Sequence, residues 1–300
     1  ELSQLMNQKQ TRRLSQSELV TFGRCPRLHK FKYVELLRPP QTKSMRRGTA
    51  VHYGVEKRDP KEASDYIMAF SNNVFGKDAL DELRMTAAVC EAMVEGALRL
   101  WPSWPDDREV EFDLPLINPK TGRPSRAHRL GGVIDGLGKD SVTELKTTSR
   151  LDSSYIDRLD IDFQVSTYLE AASRLKGRPI RKMNYAIIRW PSSKKRKNET
   201  PDDYIERIQQ DYRDRPDFYY HHEVVTRSEE QMQLWREEAW EIHKRILEVD
   251  NGGFAIRNTE SCVGRYGRCK FLDLCCGAVT RDAYEVVSRP HQELSEGVKL

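Results

Sequence analysis

The stretch from Gly131 to Thr148, GGVIDGLGKDSVTELKTT, constrains this chain more than any other, because it sets Asp135, Glu144 and Lys146 on one β-hairpin. Val133 and Ile134 are apolar, Gly136 to Ser141 is a turn cluster, and Ser141 to Thr148 alternates apolar or β-branched residues with polar ones. Side chains alternate across a strand, so Glu144 and Lys146 share a face, and Asp135, ending the partner strand, lies beside Glu144. Two adjacent carboxylates repel unless a cation separates them, and oxygen ligands suit magnesium or manganese (Mg²⁺ or Mn²⁺). A lysine on the same face is placed to orient or deprotonate a water. Taken alone, the pattern also describes a surface hairpin whose Glu and Lys pair in solvent.

The chain has 300 residues, enough to bury a sizeable core. With 32% charged residues and a mean hydropathy of -0.73 it reads as a polar globular protein. No apolar run approaches the roughly 20 residues of a membrane helix. The first ten residues show no signal-type apolar stretch, so an intracellular protein without a membrane partner is expected. The chain begins with Glu, which leaves open a start inside a longer protein. Its 50 basic and 46 acidic residues nearly cancel, so a nucleic-acid surface has to come from local clustering. Six cysteines are too few for a secreted disulfide scaffold, but all except Cys90 lie toward the chain ends.

In chain order, Ser15-x-x-Glu18 has capping-box spacing before Leu19, Val20 and Phe22, which predicts a short helix running into Cys25-Pro26. Arg24, Arg27, His29, Lys30 and Lys32 then interleave with Phe22, Phe31 and Tyr33. That pattern suits phosphate contact and base stacking, or equally an amphipathic helix with a solvated basic face. After the basic turn Lys43 to Arg47, a Gly48-x-x-x-His52-x-x-x-Glu56 segment opens a helix with His52 and Glu56 on one face. Apolar positions at helical spacing carry the helical reading through residues 61–100, with Cys90 an ordinary buried thiol, and Trp101 to Pro105 end it.

From Glu109 the period changes to that of a strand, with Val110, Phe112, Leu114 and Leu116 on one side; after a turn at 118–122, Arg129 to Ile134 leads into Asp135. A helix around 163–176 places Gln164 and Tyr168 on one face, and 183–190 reads as a fourth strand with a continuous apolar run. Lys194, Lys195, Arg196 and Lys197 follow in a loop that is either simply solvated or in contact with phosphate. Ser228-x-x-Gln231 is a second capping box, and Met232, Trp235, Ala239, Ile242, Ile246 and Val249 form the most regular helical stripe.

With Asp135, Glu144-x-Lys146, Gly48-x-x-x-His52-x-x-x-Glu56 and Gln164-x-x-x-Tyr168 in hand, the chain resembles the PD-(D/E)xK nuclease superfamily. The resemblance is to its RecB-like branch, which holds AddB-like nuclease domains and CRISPR-associated iron-sulfur exonucleases. It implies an α/β fold, a restriction-endonuclease-like core of mixed sheet flanked by helices, with a helical insertion and a C-terminal Cys-cluster cap. Within a single nuclease domain it assigns 14–60 to N-terminal helices with the first cluster cysteine and first motif. It gives 61–105 to the helical insertion, 106–226 to the nuclease core, and 227–300 to the C-terminal helix and iron-sulfur cap. It further implies that His52, Asp135, Glu144 and the Leu145 carbonyl hold Mg²⁺ or Mn²⁺, and that Lys146 positions and activates the attacking water. Gln164 and Tyr168 would position DNA or the lysine, and Arg24, Lys30 and Lys194 to Lys197 are the candidate DNA contacts.

The same resemblance gives Cys25, Cys262, Cys269 and Cys275 a structural [4Fe-4S] cluster, with one cysteine before the core and three after it. Cys25-Pro26 and Cys269-x5-Cys275 are similar to the family pattern. Cys262 and Cys269, seven apart, are farther apart than the family's first downstream pair, which leaves Cys276 open as the alternative to Cys262. Zinc is the rival occupant, although structural zinc sites favour closely spaced cysteine pairs. The implied function is a metal-dependent DNA exonuclease acting on single-stranded DNA ends in recombination, repair or phage DNA processing. It would be cytoplasmic in a bacterial or phage-infected cell, with a recombination or CRISPR-adaptation protein as partner. The alternative is a non-catalytic DNA-binding or assembly subunit, against which the intact Asp135, Glu144 and Lys146 count.

Overall fold

The alternating apolar segments form a six-stranded mixed sheet: β1 (Arg12–Ser15), β2 (Arg108–Ile117), β3 (Pro124–Leu137), β4 (Val142–Thr148), β5 (Lys182–Arg189) and β6 (Tyr220–Thr226). The computed structural model describes residues 11–39, 42–105, 107–264 and 267–291. β3 is the long central strand. One of its edges pairs antiparallel with β2, and the other is shared by two partners. β1 runs parallel along His128 to Gly131, and β4 pairs antiparallel only at Gly136 with Thr143 and Leu137 with Val142. β4 then continues parallel with β5, and β5 antiparallel with β6. The hairpin read from the sequence is present, but its strands part after two rungs. The expected strand-strand-strand-helix-strand order is also present, with β1 and β6 added at its ends.

Seven longer helices cover the sheet: α1 (Gln16–Arg24), α2 (Lys43–Lys57), α3 (Pro60–Met68), α4 (Lys77–Leu100), α5 (Phe163–Lys176), α6 (Pro201–Asp214) and α7 (Glu229–Asp250). On one face α1, α5 and α7 bury Leu19, Phe22, Val165, Leu169, Trp235 and Ile246 against Val142, Tyr185 and Ile187. On the other, α2, α3, α4 and α6 bury Val51, Ile67, Met93 and Ile208 against Leu145, Ala186 and Ile188. β5 is covered on both sides, which is why residues 185–188 form an apolar run with side chains buried on both faces. Gly96 allows the second layer to close, because a Cβ there would overlap the Tyr220 ring, whose hydroxyl donates to Ala92 O at 3.1 Å.

Several local expectations shift. α2 starts at Lys43 rather than at Gly48, because Thr42 caps it by accepting the Met45 N–H at 3.3 Å. The helical run 61–100 is broken between α3 and α4, where Gly76 takes φ +91°. Ser15 does cap α1, but Glu18 does not close the box. Its carboxylate turns inward to His29 Nε2 at 2.8 Å and His291 Nε2 at 2.7 Å, with Arg12 alongside. The Ser228 box closes reciprocally, as read.

After α7 the chain returns to α1. Arg27 N–H donates to Ile256 O at 3.1 Å and Arg24 to Ser261 O at 3.2 Å, and the short strand Leu37–Arg38 pairs with Glu285–Val286. Phe31, Leu37 and Phe271 make a third small core with Cys269, Leu274 and Cys275 packed against it. Phe22, Phe31 and Tyr33 are thus buried, which removes them as stacking platforms, and His29 is fully enclosed. No helix among the described residues is long and apolar enough to cross a membrane.

Candidate active site

The parting of β3 from β4 creates the site. Between the rung that ends β1 at Gly131 and the rung that begins β4 at Gly136, residues 132–135 border an opening in the sheet. Asp135 stands at this opening, and its Oδ2 accepts the Leu145 N–H at 2.8 Å, so a carboxylate stands in for a backbone acceptor. On β4, Glu144 is 1% exposed and Lys146 about a third exposed. Glu144 Oε1 accepts from Lys146 Nζ and from Gln164 Nε2, the latter at 2.8 Å. Its other oxygen, Oε2, is buried and has no hydrogen-bond partner.

α2 brings in the first motif from the opposite layer. Gly48 packs beside Thr147, and one turn later His52 Nδ1 lies 3.6 Å from Asp135 Oδ2. The His52 ring also bonds the Leu145 backbone. α5 supplies Gln164 and Tyr168: Asp162 caps it through the N–H groups of Gln164 and Val165, which fixes Gln164 in the first turn. The Gln164 amide bonds Glu144 and the Tyr168 hydroxyl, while the Tyr168 ring packs edge-on against Phe112 with centroids 6.0 Å apart. Asp135, Glu144, Lys146, His52, Gln164 and Tyr168 are therefore brought together.

Electrostatics follow from this enclosure. Burial, then Asp135, pushes Glu144 up to about 7, against the pull of Lys146. Burial likewise raises Asp135. Lys146 is raised: burial opposes its charge, but Glu144 and Asp135 outweigh it, and the ammonium stays protonated. Burial, then Lys146, lowers His52 to about 4, so its ring is neutral near pH 7. A site with two raised carboxyls, a neutral imidazole and an orphaned buried carboxylate oxygen has the donors a hard divalent cation takes. Among the described residues no group of three or more His, Cys, Asp or Glu side chains, the cysteines included, is placed to hold a metal ion.

Two features escaped the sequence reading. Glu109, beside Asp135 on the β2 edge, has φ +47°, a left-handed backbone that non-glycine residues seldom adopt. Glu109 is exposed as a residue, yet desolvation of its carboxyl, then Asp135, Glu56 and Glu144, pushes it up to about 8. Nothing in the residue pattern signals this. Tyr185, in register with Glu144 across β4 and β5, bonds Tyr155, and both lie in the field of the site. A tyrosine inside the apolar run of β5 was the available sign.

The remaining candidates lie elsewhere. Lys194, Lys195, Arg196 and Lys197 are exposed, whereas Arg24 is tied to Ser261 O and Lys30 is half-buried. The segments that carry the first and the later cysteines do come together: the Asn258 N–H approaches Cys25 Sγ at 3.4 Å. Burial, then the thiols of Cys269, Cys275, Cys25 and Cys276, raises Cys262. Cys90 is buried in the α4 stripe, as read.

A mixed sheet that opens at an aspartate, with Glu-x-Lys on the next strand and helices on both faces, defines a nuclease core. Residues 13–276 match the family model of the PD-(D/E)XK nuclease superfamily, and the chain belongs to that superfamily. The crystal structure of a Eubacterium rectale protein provisionally named an exonuclease superposes with a TM-score of 0.54 over 93% of each chain. At 12% identity that likeness shows the fold. No curated protein matches the chain.

Proposed function

We propose that this nuclease is a Mg²⁺- or Mn²⁺-dependent DNA exonuclease of the RecB-like branch, acting on single-stranded DNA ends in recombination, repair or phage DNA processing. The observation that carries the reading is the buried, unpartnered Oε2 of Glu144 beside Asp135 and His52. Asp135, Glu144, neutral His52 and the Leu145 carbonyl would hold the cation, with Glu109 within its field. The metal would supply a Lewis acid for the phosphate and lower the pKa of water. Lys146, kept cationic by its two carboxylates, orients the attacking water and offsets charge on the scissile phosphate; its raised proton affinity argues for this over proton abstraction. Gln164 holds Glu144 and is itself held by Tyr168, so the pair acts as positioning residues. Hydrolysis would leave a 5′-phosphate and a 3′-hydroxyl.

The test is cleavage of end-labelled single- and double-stranded DNA with Mg²⁺ or Mn²⁺, comparing wild type with Glu144→Ala and Lys146→Ala. Loss of degradation in both variants, with folding and DNA binding retained, supports the reading. Wild type that cuts neither substrate with either metal overturns it, in favour of a DNA-binding or assembly subunit.

The reading includes a structural [4Fe-4S] cluster held by Cys25, Cys262, Cys269 and Cys275, supported by the effect of the neighbouring thiols on Cys262 and by the approach of residue 258 to Cys25. Cys276, exposed beside Cys275, is the alternative to Cys262. A recombination or CRISPR-adaptation protein fits as partner on the same resemblance.

A further inference from the structure

Two basic runs far apart in sequence, Lys43 to Arg47 and Lys194 to Lys197, flank one end of the sheet. The Arg47 guanidinium lies 4.7 Å from the centroid of Trp190, the residue that leads into the second run. The Trp190 N–H donates to Thr148 O at 2.6 Å, and Gly48 lies against Thr147. The strand that carries Lys146 therefore ends beside Gly48, just after the first run, and Trp190, four residues before the second.

Beside Arg47, a cavity of about 300 Å³ opens between the start of α2 and α4, lined by Lys43, Arg46, Phe70, Phe75, Glu82 and Leu83. Lys43 pairs with Glu82 at 2.6 Å, which answers the acidic residue. Arg46 lies 4.8 Å from the Phe70 centroid, and its Nε is buried with no hydrogen-bond partner. Phe75 is 89% exposed, so its ring gains nothing from the core of this chain. An exposed ring and a guanidinium lining one cavity are what a nucleobase and its phosphate take: the base stacks and the phosphate accepts. A bare anion would use Arg46 and leave Phe75 idle, and bases paired in a duplex are not free to enter. Arg46 precedes His52 by six residues on α2, about 9 Å along the helix axis, a distance that a strand spans within a couple of nucleotides.

The geometry points to this cavity as a base subsite for a single strand, flanking the position of cleavage; the assignment rests on the nuclease reading above. Phe75 and Phe70 take an unpaired base, Arg46 takes its phosphate, and the Lys194 to Lys197 loop follows the backbone beyond.

The test is an abasic scan: anisotropy of a short fluorescein-labelled oligothymidylate in EDTA, with one base at a time replaced by an abasic sugar. For wild type, one position is expected to weaken binding roughly tenfold. Phe75→Ala should bind the intact strand as weakly as wild type binds that abasic one, with no further loss at that position. Because Phe75 is exposed, the substitution removes no core packing, and circular dichroism checks that the fold is kept. Arg46→Ala should weaken all strands alike and reduce the salt slope by about one. A flat scan, or the same profile in wild type and Phe75→Ala, overturns the subsite. Cleavage of the same oligonucleotide in Mg²⁺ separates the two readings. Cleavage with a flat scan refutes only the subsite, whereas no cleavage with a Phe75-dependent position refutes only the nuclease reading.

Discussion

Replacing Glu144 with Gln tests whether the site is a store of electrostatic strain that a cation relieves. In the metal-free protein burial and Asp135 raise this carboxyl from 4.5 to about 7. The folded state thus holds a proton that the unfolded chain releases at lower pH. A carboxyl raised in this way contributes stability that is fully present below pH 4.5 and is lost as pH rises through about 7. A tenfold change in proton affinity is worth about 1.4 kcal/mol, so the interval from 4.5 to about 7 amounts to about 3 kcal/mol. Urea unfolding in EDTA at pH 5 and pH 8 reads it directly. Wild type should lose up to about 3 kcal/mol over that span beyond what Glu144→Gln loses, because other titrating groups, Glu109 among them, contribute to both proteins. Mg²⁺ binds the ionised form, so at a hundredfold excess over its Kd it should return about 2.7 kcal/mol to wild type at pH 8 and much less to the variant. Parallel pH profiles for the two proteins, or no stabilisation of wild type by Mg²⁺ or Mn²⁺, would refute the reasoning.

Three further outcomes follow from contacts away from the site. Burial opposes the charge of Glu18, but the bonds from His29 and His291 and the charge of Arg12 outweigh it and lower Glu18 to about 2. Its stability is therefore present above pH 4.5 and is lost as pH falls toward 2; Glu18→Gln should cost about 3 kcal/mol or more in urea unfolding at pH 7, and an unchanged midpoint would show that the network is idle. Gly96→Ala drives a methyl into the Tyr220 ring and should lower stability by about 1–3 kcal/mol in thermal melts, a loss that a smaller residue at 220 partly restores. Cys25→Ser should reduce iron and acid-labile sulfide in anaerobically purified protein, while Cys90→Ser, in the α4 core, should leave both unchanged; equal iron in all three proteins would remove the cluster from the reading.

Much of the site could be read from the sequence because its parts are local in sequence. Glu144 and Lys146 share a face by strand period, and Gln164 and Tyr168 by helix period, so spacing alone predicted which side chains point together. The stripe of α7 and the box at Ser228 were legible for the same reason. What could not be read depends on distant pairings. Glu18 looked like a capping partner three residues from Ser15, yet its carboxylate is held by a residue 273 positions away. The cations and rings of 22–33 looked like a nucleic-acid surface, but the return of the chain after α7 covers the rings and takes up Arg24 and Arg27 through backbone carbonyls. β1 is only four residues long and β6 carries two histidines, so neither shows an apolar period until the sheet supplies its neighbours.

The placement of Asp135 shows why an opened sheet, rather than a regular one, makes the site. Continuing the two rungs between β3 and β4 would set Asp135 directly opposite Glu144 and Ile134 opposite Leu145, with the Leu145 N–H free to seek a strand partner. Because the strands part, that N–H is taken by the Asp135 carboxylate, which fixes one oxygen and leaves the group within reach of His52 from the other layer. On the β2 edge the ladder is interrupted as well: Arg108 pairs with Gly136 and Val110 with Ile134, while Glu109 between them takes a left-handed backbone. Such a conformation costs of order 1–3 kcal/mol and persists only where its surroundings enforce it. The sheet is therefore irregular on both sides of a single residue. On the metal-dependent reading proposed above, that irregularity is what would let a cation enter among Asp135, Glu144 and Glu109, which regular pairing would pack against one another.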